Sequence, residues 1–101
     1  MTEIRSEIAR KNDRCRGSFL GCKVLLTSMV AGHEDLAKIL QAVREYSSFN
    51  EDNDPYGEHD FGEFMVNFSH YFWKIDYFDD EYKFYEEDGN RVLTIGRADE
   101  Y

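Results

Sequence analysis

Residues 70–79, HYFWKIDYFD, decide the fold of this chain. Side chains alternate between two faces along a β-strand. One face of this strand would carry Tyr71, Trp73, Ile75 and Tyr77, and the other Phe72, Lys74, Asp76 and Phe78. The stretch EFMVNF at 63–68 predicts a second strand, joined to the first by a hairpin turn at 67–70. We expect the face with Trp73 and Ile75 to pack under a helix.

The clearest helix lies at 33–46, HEDLAKILQAVREY. Its apolar residues recur at helical spacing: Leu36, Ile39, Leu40, Val43 and Tyr46. Glu34 and Asp35 fall in the predicted first turn, where the helix dipole favours negative charge. This pattern is typical of an amphipathic helix with one face on a sheet.

The first 32 residues predict a helix and a strand. The helix covers 2–14, with Thr2 as its cap and with Ile4 and Ile8 on one narrow apolar side. The stretch CKVLLTSMV at 22–30 does not alternate cleanly, so we expect a strand that is buried on both faces.

Two short strands are predicted after the hairpin. YKFY at 82–85 is the first, and RVLTIG at 91–96 is the last strand of the chain. The turn between them, EEDGN at 86–90, contains Gly89, which is suited to a positive φ.

The order of these elements indicates one α+β domain over residues 1–101. Strands joined by short turns predict an antiparallel sheet of four or five strands. The one main amphipathic helix, 33–46, packs on one face of this sheet, and the N-terminal helix, residues 1–16, could lie at the periphery. Fourteen of the sixteen aromatic residues fall between positions 46 and 85, so the second half of the chain differs in character from the first.

The composition excludes several classes of protein. An apolar content of 42% excludes a disordered chain. No apolar run reaches the length of a membrane span, and the charged N-terminus lacks a signal-peptide core, so we expect a cytoplasmic protein with no membrane partner. In that compartment Cys15 and Cys22 are expected to be free thiols, and their spacing does not fit a zinc site.

The net charge of −9 is distributed unevenly. Residues 1–32 hold six basic and three acidic residues, a net charge of +3, whereas residues 33–101 hold six basic and eighteen acidic residues, a net charge of −12. Such a field repels nucleic acids and anionic membranes and attracts cationic partners.

Residues 50–63, NEDNDPYGEHDFGE, hold six acidic residues and a histidine. Counted from position 52, five residues match ligand or turn positions of an EF-hand calcium loop: Asp52, Asp54, Gly57, Asp60 and Glu63. Tyr56 occupies a position that needs an oxygen ligand, Pro55 stiffens the bend, and a strand follows instead of a helix. These features argue against calcium.

A metal-dependent hydrolase or nuclease is the alternative function. Its metal ligands would be Asp54, Glu58, His59 and Asp60. Asp60 and the later Glu81-Tyr82-Lys83 also resemble the acid and acid-x-Lys arrangement of many nucleases. With 33% of the residues charged, such a spacing arises easily by chance. A nuclease also needs a basic track, which only the N-terminal helix could supply.

The same loop has simpler interpretations. His59 lies between two acidic residues that favour its charged form, but we prefer a histidine that holds the loop by hydrogen bonds. The stretch DPYG at 54–57 is typical of a turn that Asp54 caps and in which Gly57 is left-handed.

Three segments together resemble a known family: NDPYGEHDFG at 53–62, FWKIDYFD at 72–79 and RVLTIGRADEY at 91–101. The resemblance, over about residues 17–101, is to a domain-of-unknown-function family of short proteins found on alphaproteobacterial chromosomes, plasmids and prophages. It implies a compact bacterial domain that is sometimes carried on mobile elements. It implies no activity.

The favoured interpretation is a non-enzymatic acidic binding protein without a cofactor. Residues 50–88 hold thirteen acidic residues and two lysines, a net charge of −11, interleaved with aromatic residues. Carboxylates about 7 Å apart along a strand approach the phosphate spacing of DNA, and aromatic residues supply the anchors of an interface. The expected binding residues are Glu51, Asp52, Asp54, Glu58, Asp60, Asp79, Asp80, Glu81, Glu86, Glu87 and Asp88.

The partner expected from this charge is a basic protein surface. A nucleic-acid-binding groove is one such surface, and the protein would then mimic DNA and inhibit a host defence enzyme such as a restriction or CRISPR effector. The simplest alternative is an ordinary solvated acidic surface over an aromatic core. A homodimer is also compatible with the sequence, because the basic N-terminal helix could pack on the acidic half of another copy.

Overall fold

Three helices pack on one face of a four-stranded sheet in the computed structural model, which describes residues 3–101, with side chains from residue 7 onward. The elements in chain order are α1 (Glu3–Ser18), β1 (Lys23–Leu26), α2 (Ser28–Ala31), α3 (Leu36–Glu45), β2 (Phe61–Val66), β3 (Ser69–Phe78), β4 (Asn90–Arg97) and a 3-10 helix (Ala98–Glu100). The α+β class is confirmed. The predicted cap at Thr2 and the side chain of Ile4 lie outside the described residues.

The sheet is mixed, which corrects the expectation of a purely antiparallel sheet. Its strand order within residues 3–101 is β1-β4-β3-β2. β3 pairs antiparallel with β2 and β4, but β1 runs parallel to β4, with Lys23 opposite Val92 and Leu26 opposite Ile95. Two helices and the hairpin separate β1 from β4 along the chain. Local sequence patterns therefore hold no signal for their pairing.

The predicted central hairpin forms, but its strands begin earlier than expected, at Phe61 and Ser69, and its turn is shorter than the predicted 67–70. β2 and β3 pair from Phe61 opposite Lys74 to Val66 opposite Ser69. Asn67 and Phe68 form the two-residue turn between them, with φ of 47° and 67°. Positive φ at both central residues is the signature of a type I′ turn, whose twist matches that of the paired strands.

β3 has the two predicted faces, and the face under α3 is buried: Tyr71, Trp73, Ile75 and Tyr77. α3 is the predicted amphipathic helix, and its Ile39 and Val43 are fully buried in the same core. The helix begins at Leu36 with Asp35 as its N-cap residue. Glu34 and Asp35 therefore precede the first turn and do not lie within it as expected.

Residues 22–30 do not form the single buried strand that their apolar content predicts. β1 ends at Leu26, and the chain then turns into α2. β1 alternates, with Val24 and Leu26 against the core and Leu25, on the other face of the sheet, 52% exposed, whereas Val30 of α2 is fully buried. The apolar residues of this stretch are thus divided between two elements, each of which packs on the core with one side.

The predicted strand YKFY is also absent from the described chain. A single bridge joins Tyr85 to Phe78, and Tyr82 has a φ of 58°, which breaks an extended chain. In the following turn Asp88 has the positive φ, of 53°, and Gly89 does not. Gly89 is needed for space instead, because a Cβ atom there would collide with the carbonyl oxygen of Phe78.

Cys15 and Cys22 form a disulfide and are not the free thiols that a cytoplasmic setting predicts. Their Cα atoms lie 5.8 Å apart, a normal disulfide spacing. Gly21, with a φ of 76°, helps to turn the chain back from α1 toward β1. The pairing depends on this reversal, which an argument from the compartment cannot see. The disulfide fastens a helix whose inner side is part of the core: Ile8, Ala9, Asn12, Cys15 and Arg16 are buried.

Candidate functional site

The topology brings the two acidic segments, residues 51–60 and 79–88, to the same end of the sheet. β3 ends at Phe78 and leads into 79–88, while β2 begins at Phe61 opposite Lys74, just past the middle of β3. Contacts join both segments to β3: the Ile75 amide donates to the carbonyl oxygen of Asp60 at 2.8 Å, and the Glu86 amide donates to that of Tyr77 at 3.4 Å. We name these two segments together the acidic end.

A buried asparagine of α1 connects the parts of the acidic end. Asn12 is fully buried. Its Nδ2 donates to the carbonyl oxygen of Glu58 at 2.9 Å and to the Tyr77 hydroxyl at 2.8 Å. Its Oδ1 accepts from Arg91 Nε at 2.6 Å. One side chain thus ties α1 to the first acidic segment, to β3 and to β4.

The second acidic segment is joined to this network by Asp88. Its two carboxylate oxygens accept from Lys11 Nζ at 2.8 Å and from an Arg91 guanidinium nitrogen at 2.6 Å. Burial acts to raise the pKa of Asp88, but the hydrogen bonds from Lys11 and Arg91 outweigh it, and the pKa lies below its ordinary value. The basic N-terminal helix therefore packs on the acidic half of its own chain.

Tyr77 completes the network on the side of the first acidic segment. Its hydroxyl donates to Glu58 Oε1 at 3.0 Å, and its ring lies 5.2 Å from the Arg91 guanidinium carbon. Burial is the main cause that raises the pKa of Tyr77, and the nearby Glu58 and Asp60 carboxylates add to it. The hydroxyl is therefore neutral at physiological pH and remains a donor.

His59 holds its loop by hydrogen bonds, in the simpler role that the sequence predicts. Its Nδ1 lies 2.9 Å from an Asp13 carboxylate oxygen, and its ring stacks on Phe49 with centroids 4.0 Å apart. Asp13 also accepts from Arg16 at 2.9 Å. The acidic partners of His59 are therefore Asp13 of α1 and, with its Oδ2 3.7 Å from His59 Nε2, Asp54 of the same loop.

Arg16 of α1 packs against the end of α3 and the segment that follows it, which leads to the acidic end. It is 4% exposed and lies inside an aromatic cluster, with its guanidinium carbon 4.9 Å from the centroid of Trp73 and 5.3 Å from that of Phe49. It also donates to the carbonyl oxygens of Val43 and Tyr46, at 2.9 and 2.6 Å. Both carbonyls lie at the end of α3, where backbone acceptors lack partners in the next turn. The Val43 oxygen also accepts from the Tyr46 amide at 3.4 Å, so Arg16 adds a second donor there.

Sequence reasoning missed Asn12, Asp13, Arg16 and Arg91 as residues of this site. A signal for two of them was present: Asn12 and Arg16 follow Ile8 at four-residue steps, so they share its side of the helix. A polar residue on the apolar side of a helix predicts a buried hydrogen-bond network. Nothing in the local sequence indicates which residues it would contact.

The eleven predicted binding residues fall into two groups. Six are exposed: Glu51, Asp52, Asp80, Glu81, Glu86 and Glu87. Five are partly buried: Asp54, Glu58, Asp60, Asp79 and Asp88. The side chains of the partly buried group stabilise the loops.

Asp54 caps the turn at 54–57, as predicted. Its Oδ1 accepts from the amides of Glu58 and His59 at 3.1 and 3.2 Å, and Gly57 is left-handed, with a φ of 66°.

The loop at 79–88 is ordered by its own hydrogen bonds. Asp79 Oδ1 accepts from the amides of Glu81 and Lys83, at 3.2 and 3.1 Å, and the Asp79 amide donates to the carbonyl oxygen of Phe84 at 2.8 Å. Asp80 accepts from Asn90 Nδ2 at 2.9 Å. Beside the exposed acidic residues this loop presents two aromatic side chains, Phe84 and Tyr85, each 71% exposed.

A pocket of about 250 Å³ opens between the two acidic segments, where β3 extends beyond the start of β2. It is lined by Asp60, Ile75, Asp76, Tyr77, Phe78 and Tyr85. Burial is the main cause that raises the pKa of Asp60, and the Glu58, Asp54 and Asp76 carboxylates raise it further. The pocket therefore contains a carboxyl group whose ionised form is disfavoured by its surroundings.

The geometry does not favour the alternative metal site. Among the described side chains, no group of three or more His, Cys, Asp or Glu residues could hold a metal ion. Of the four predicted ligands, Asp54 and His59 lie together, with Oδ2 and Nε2 3.7 Å apart. Asp54 Oδ1 is used by backbone amides, and His59 Nδ1 is used by Asp13. Glu81 and Lys83 form an exposed ion pair at 3.6 Å, and neither lines the pocket at Asp60.

A family model matches residues 26–100, which includes both acidic segments and three of the four described strands in full. The chain belongs to the DUF3768 family of proteins of unknown function. The DUF3768 match begins at the last residue of β1, so α1 with Asn12 and Arg16 lies outside it. No curated protein and no solved structure matches the chain.

Within residues 3–101, no helix has both the length and the apolar character needed to cross a membrane.

Proposed function

We propose that this DUF3768 protein is a non-enzymatic binding protein whose acidic end docks on a basic protein surface. The observation that carries the proposal is the meeting of the two acidic segments at one end of the sheet, with six of their carboxylates exposed. Carboxylates that lie together on one side of a small domain steer a cationic partner and set its orientation.

Exposed aromatic residues support docking over plain solubility. Phe84 and Tyr85 stand beside Glu86 and Glu87, and Tyr56 is exposed in the other segment. Charged side chains alone would keep the domain in solution, so solubility does not explain the exposed aromatic residues. Aromatic side chains that lose their water on binding supply much of the free energy of a protein interface.

A nucleic-acid-binding groove is the basic surface that we favour as the target. The protein would occupy that groove in place of DNA and inhibit a defence enzyme such as a restriction or CRISPR effector, a role that suits a family resemblance to proteins carried on mobile elements. The exposed carboxylates lie in loops. The proposed mimicry thus rests on their combined charge and not on the regular spacing of a strand.

Capture from a bacterial lysate tests the proposal. The immobilised protein is incubated with lysate at about 50 mM and about 500 mM NaCl, since exposed charges are screened at the higher concentration. We expect a basic nucleic-acid-binding protein that is retained only at low salt and is released by duplex DNA. Absence of any salt-sensitive partner, or a partner that duplex DNA does not displace, would contradict the proposal.

A further inference from the structure

The sheet face opposite the helices is covered at one end and carries a groove at the other. At the covered end the Tyr101 ring packs against Phe72 and Phe61, with ring centroids 5.0 and 6.0 Å apart, and Phe72 is buried. Toward the other end of this face, a groove of about 370 Å³ runs across β1, β4 and β3 to Tyr82. We name it the outer groove. Its volume lies at the lower end of the range of small-molecule sites, so a small ligand with a compact ring system would fill it.

The strand register builds the floor of the outer groove. Two rows of side chains, each with one residue from β1, β4 and β3, form most of its lining: Leu25, Thr94 and Lys74, then Lys23, Val92 and Asp76. Val92 lies in the middle strand of these three and is 7% exposed. Phe78 and Tyr82 line the groove on the side of the acidic end. The apolar floor and walls favour a ligand with an apolar body.

The charge of the outer groove is opposite to that of the molecule. Two lysines and one aspartate line it, a net charge of +1, whereas the whole chain carries −9. Lys74 Nζ lies 3.0 Å from Asp76 Oδ2, so the one carboxylate of the groove already has a counterion. Lys23 Nζ lies 3.9 Å from the centroid of the Tyr82 ring, and no carboxylate among the described side chains forms an ion pair with it. Lys23 therefore offers a positive charge beside an apolar floor.

We infer that the outer groove binds a small organic anion with a flat apolar body and one carboxylate group. The apolar body would cover Val92, and the carboxylate would pair with Lys23. A second negative charge on the ligand would be opposed by Asp76. A polyanion such as a nucleic acid would be repelled by the net charge of −9. The site lies on the sheet face and needs no protein partner, so the inference does not depend on the proposed function.

An NMR titration of the full chain with naphthoate, an aromatic monocarboxylate, tests the site. We expect saturable shifts of the amides of Lys23, Tyr82, Val92 and Thr94, with a Kd of about 1 mM. The amides of α3, on the other side of the sheet, should not shift. Naphthylmethanol has the same rings without the charge and should bind about three- to fivefold more weakly.

Three variants, each with a side chain that is at least partly exposed, identify the charges that bind the ligand. Lys23→Gln should weaken the binding of naphthoate about three- to fivefold. Asp76→Asn should strengthen it, because this change removes the carboxylate of the groove and leaves Lys74 without its ion pair. The matched control is Lys38→Gln, which removes an exposed lysine from α3 and should leave the Kd unchanged.

Three results would overturn the inference. The first is the absence of saturable shifts up to about 10 mM naphthoate. The second is equal affinity for naphthoate and naphthylmethanol, since the groove would then not select an anion. The third is an equal loss of affinity with Lys23→Gln and Lys38→Gln, since only the total charge of the protein would then matter.

Discussion

Replacement of Asn12 by alanine should separate the parts of the acidic end. Asn12 is fully buried and makes three hydrogen bonds, to the Glu58 carbonyl oxygen, the Tyr77 hydroxyl and Arg91 Nε, at 2.9, 2.8 and 2.6 Å. A methyl group can make none of them. Each of the three partners then stays buried without this bond, or admits water by opening the loops.

The expected loss of stability follows from these three bonds. A neutral hydrogen bond contributes about 1 kcal/mol, and one to a charged group about 2 kcal/mol. Two neutral bonds and one from the Arg91 guanidinium therefore give about 4 kcal/mol. For a domain of this size, such a loss lowers the melting temperature by about 15–25 °C.

Chemical denaturation and hydrogen exchange measure the two consequences. In the Asn12→Ala variant, the free energy of unfolding should fall by about 3–4 kcal/mol. The exchange of the Glu86 amide should accelerate relative to the wild type by more than the exchange of amides in the centre of β3. Asn90→Ala is the matched control, since it removes one exposed hydrogen bond to Asp80 and should cost at most about 1 kcal/mol. A loss below about 1 kcal/mol for Asn12→Ala would refute the role assigned to Asn12.

Two further predictions concern the disulfide and the pocket. Reduction of the Cys15–Cys22 disulfide, which joins residues seven positions apart, should lower stability by about 2.5 kcal/mol, because it restores the entropy of a short loop in the unfolded chain. Thermal melts with and without reductant check this, and the Cys15→Ser/Cys22→Ser variant should show no response to reductant. Asp60→Asn should raise the melting temperature at neutral pH, because the raised pKa of Asp60 means that its charged form destabilises the folded state. The gain should shrink as the pH falls through the folded pKa of Asp60 and disappear below its unfolded value. A gain that is the same at all pH values would contradict this explanation.

The parts of the fold that depend on local periodicity could be predicted from the sequence. Ile39 and Val43 in α3 and the alternating residues of β3 are buried as their spacing indicates. The turn at Asn67 and Phe68 was located by the strands on each side, although its residues are not the usual pair. In each case neighbours in sequence are also neighbours in the structure.

The parts that depend on distant contacts could not be predicted. β1 joins β4 in parallel across most of the chain, and the Cys15–Cys22 disulfide depends on the reversal after α1. The irregular loop at 79–88 has aromatic residues typical of a strand, but Tyr82 is left-handed and Gly89 is fixed by the nearby Phe78 carbonyl oxygen. Tertiary contacts decide these conformations.

The acidic end was predicted by composition and not by geometry. Segments 51–60 and 79–88 stand out in the sequence by their charge, but only the hairpin topology places them together. The division into exposed residues and residues that build the loops also needs the structure. Asp54 and Asp88 bond to the protein itself, whereas Glu86 and Glu87 face solvent.

Two charge-matched variants test the central claim most directly. One replaces Glu51, Asp52, Glu86 and Glu87 by their amides, and the other replaces Glu7, Glu34, Glu45 and Asp99, which are exposed outside the acidic end. Both change the net charge from −9 to −5 by removal of four acidic groups. Capture of the salt-sensitive partner should be lost with the first variant and kept with the second. Equal losses with the two variants would mean that only the total charge matters and that the acidic end is not a docking surface.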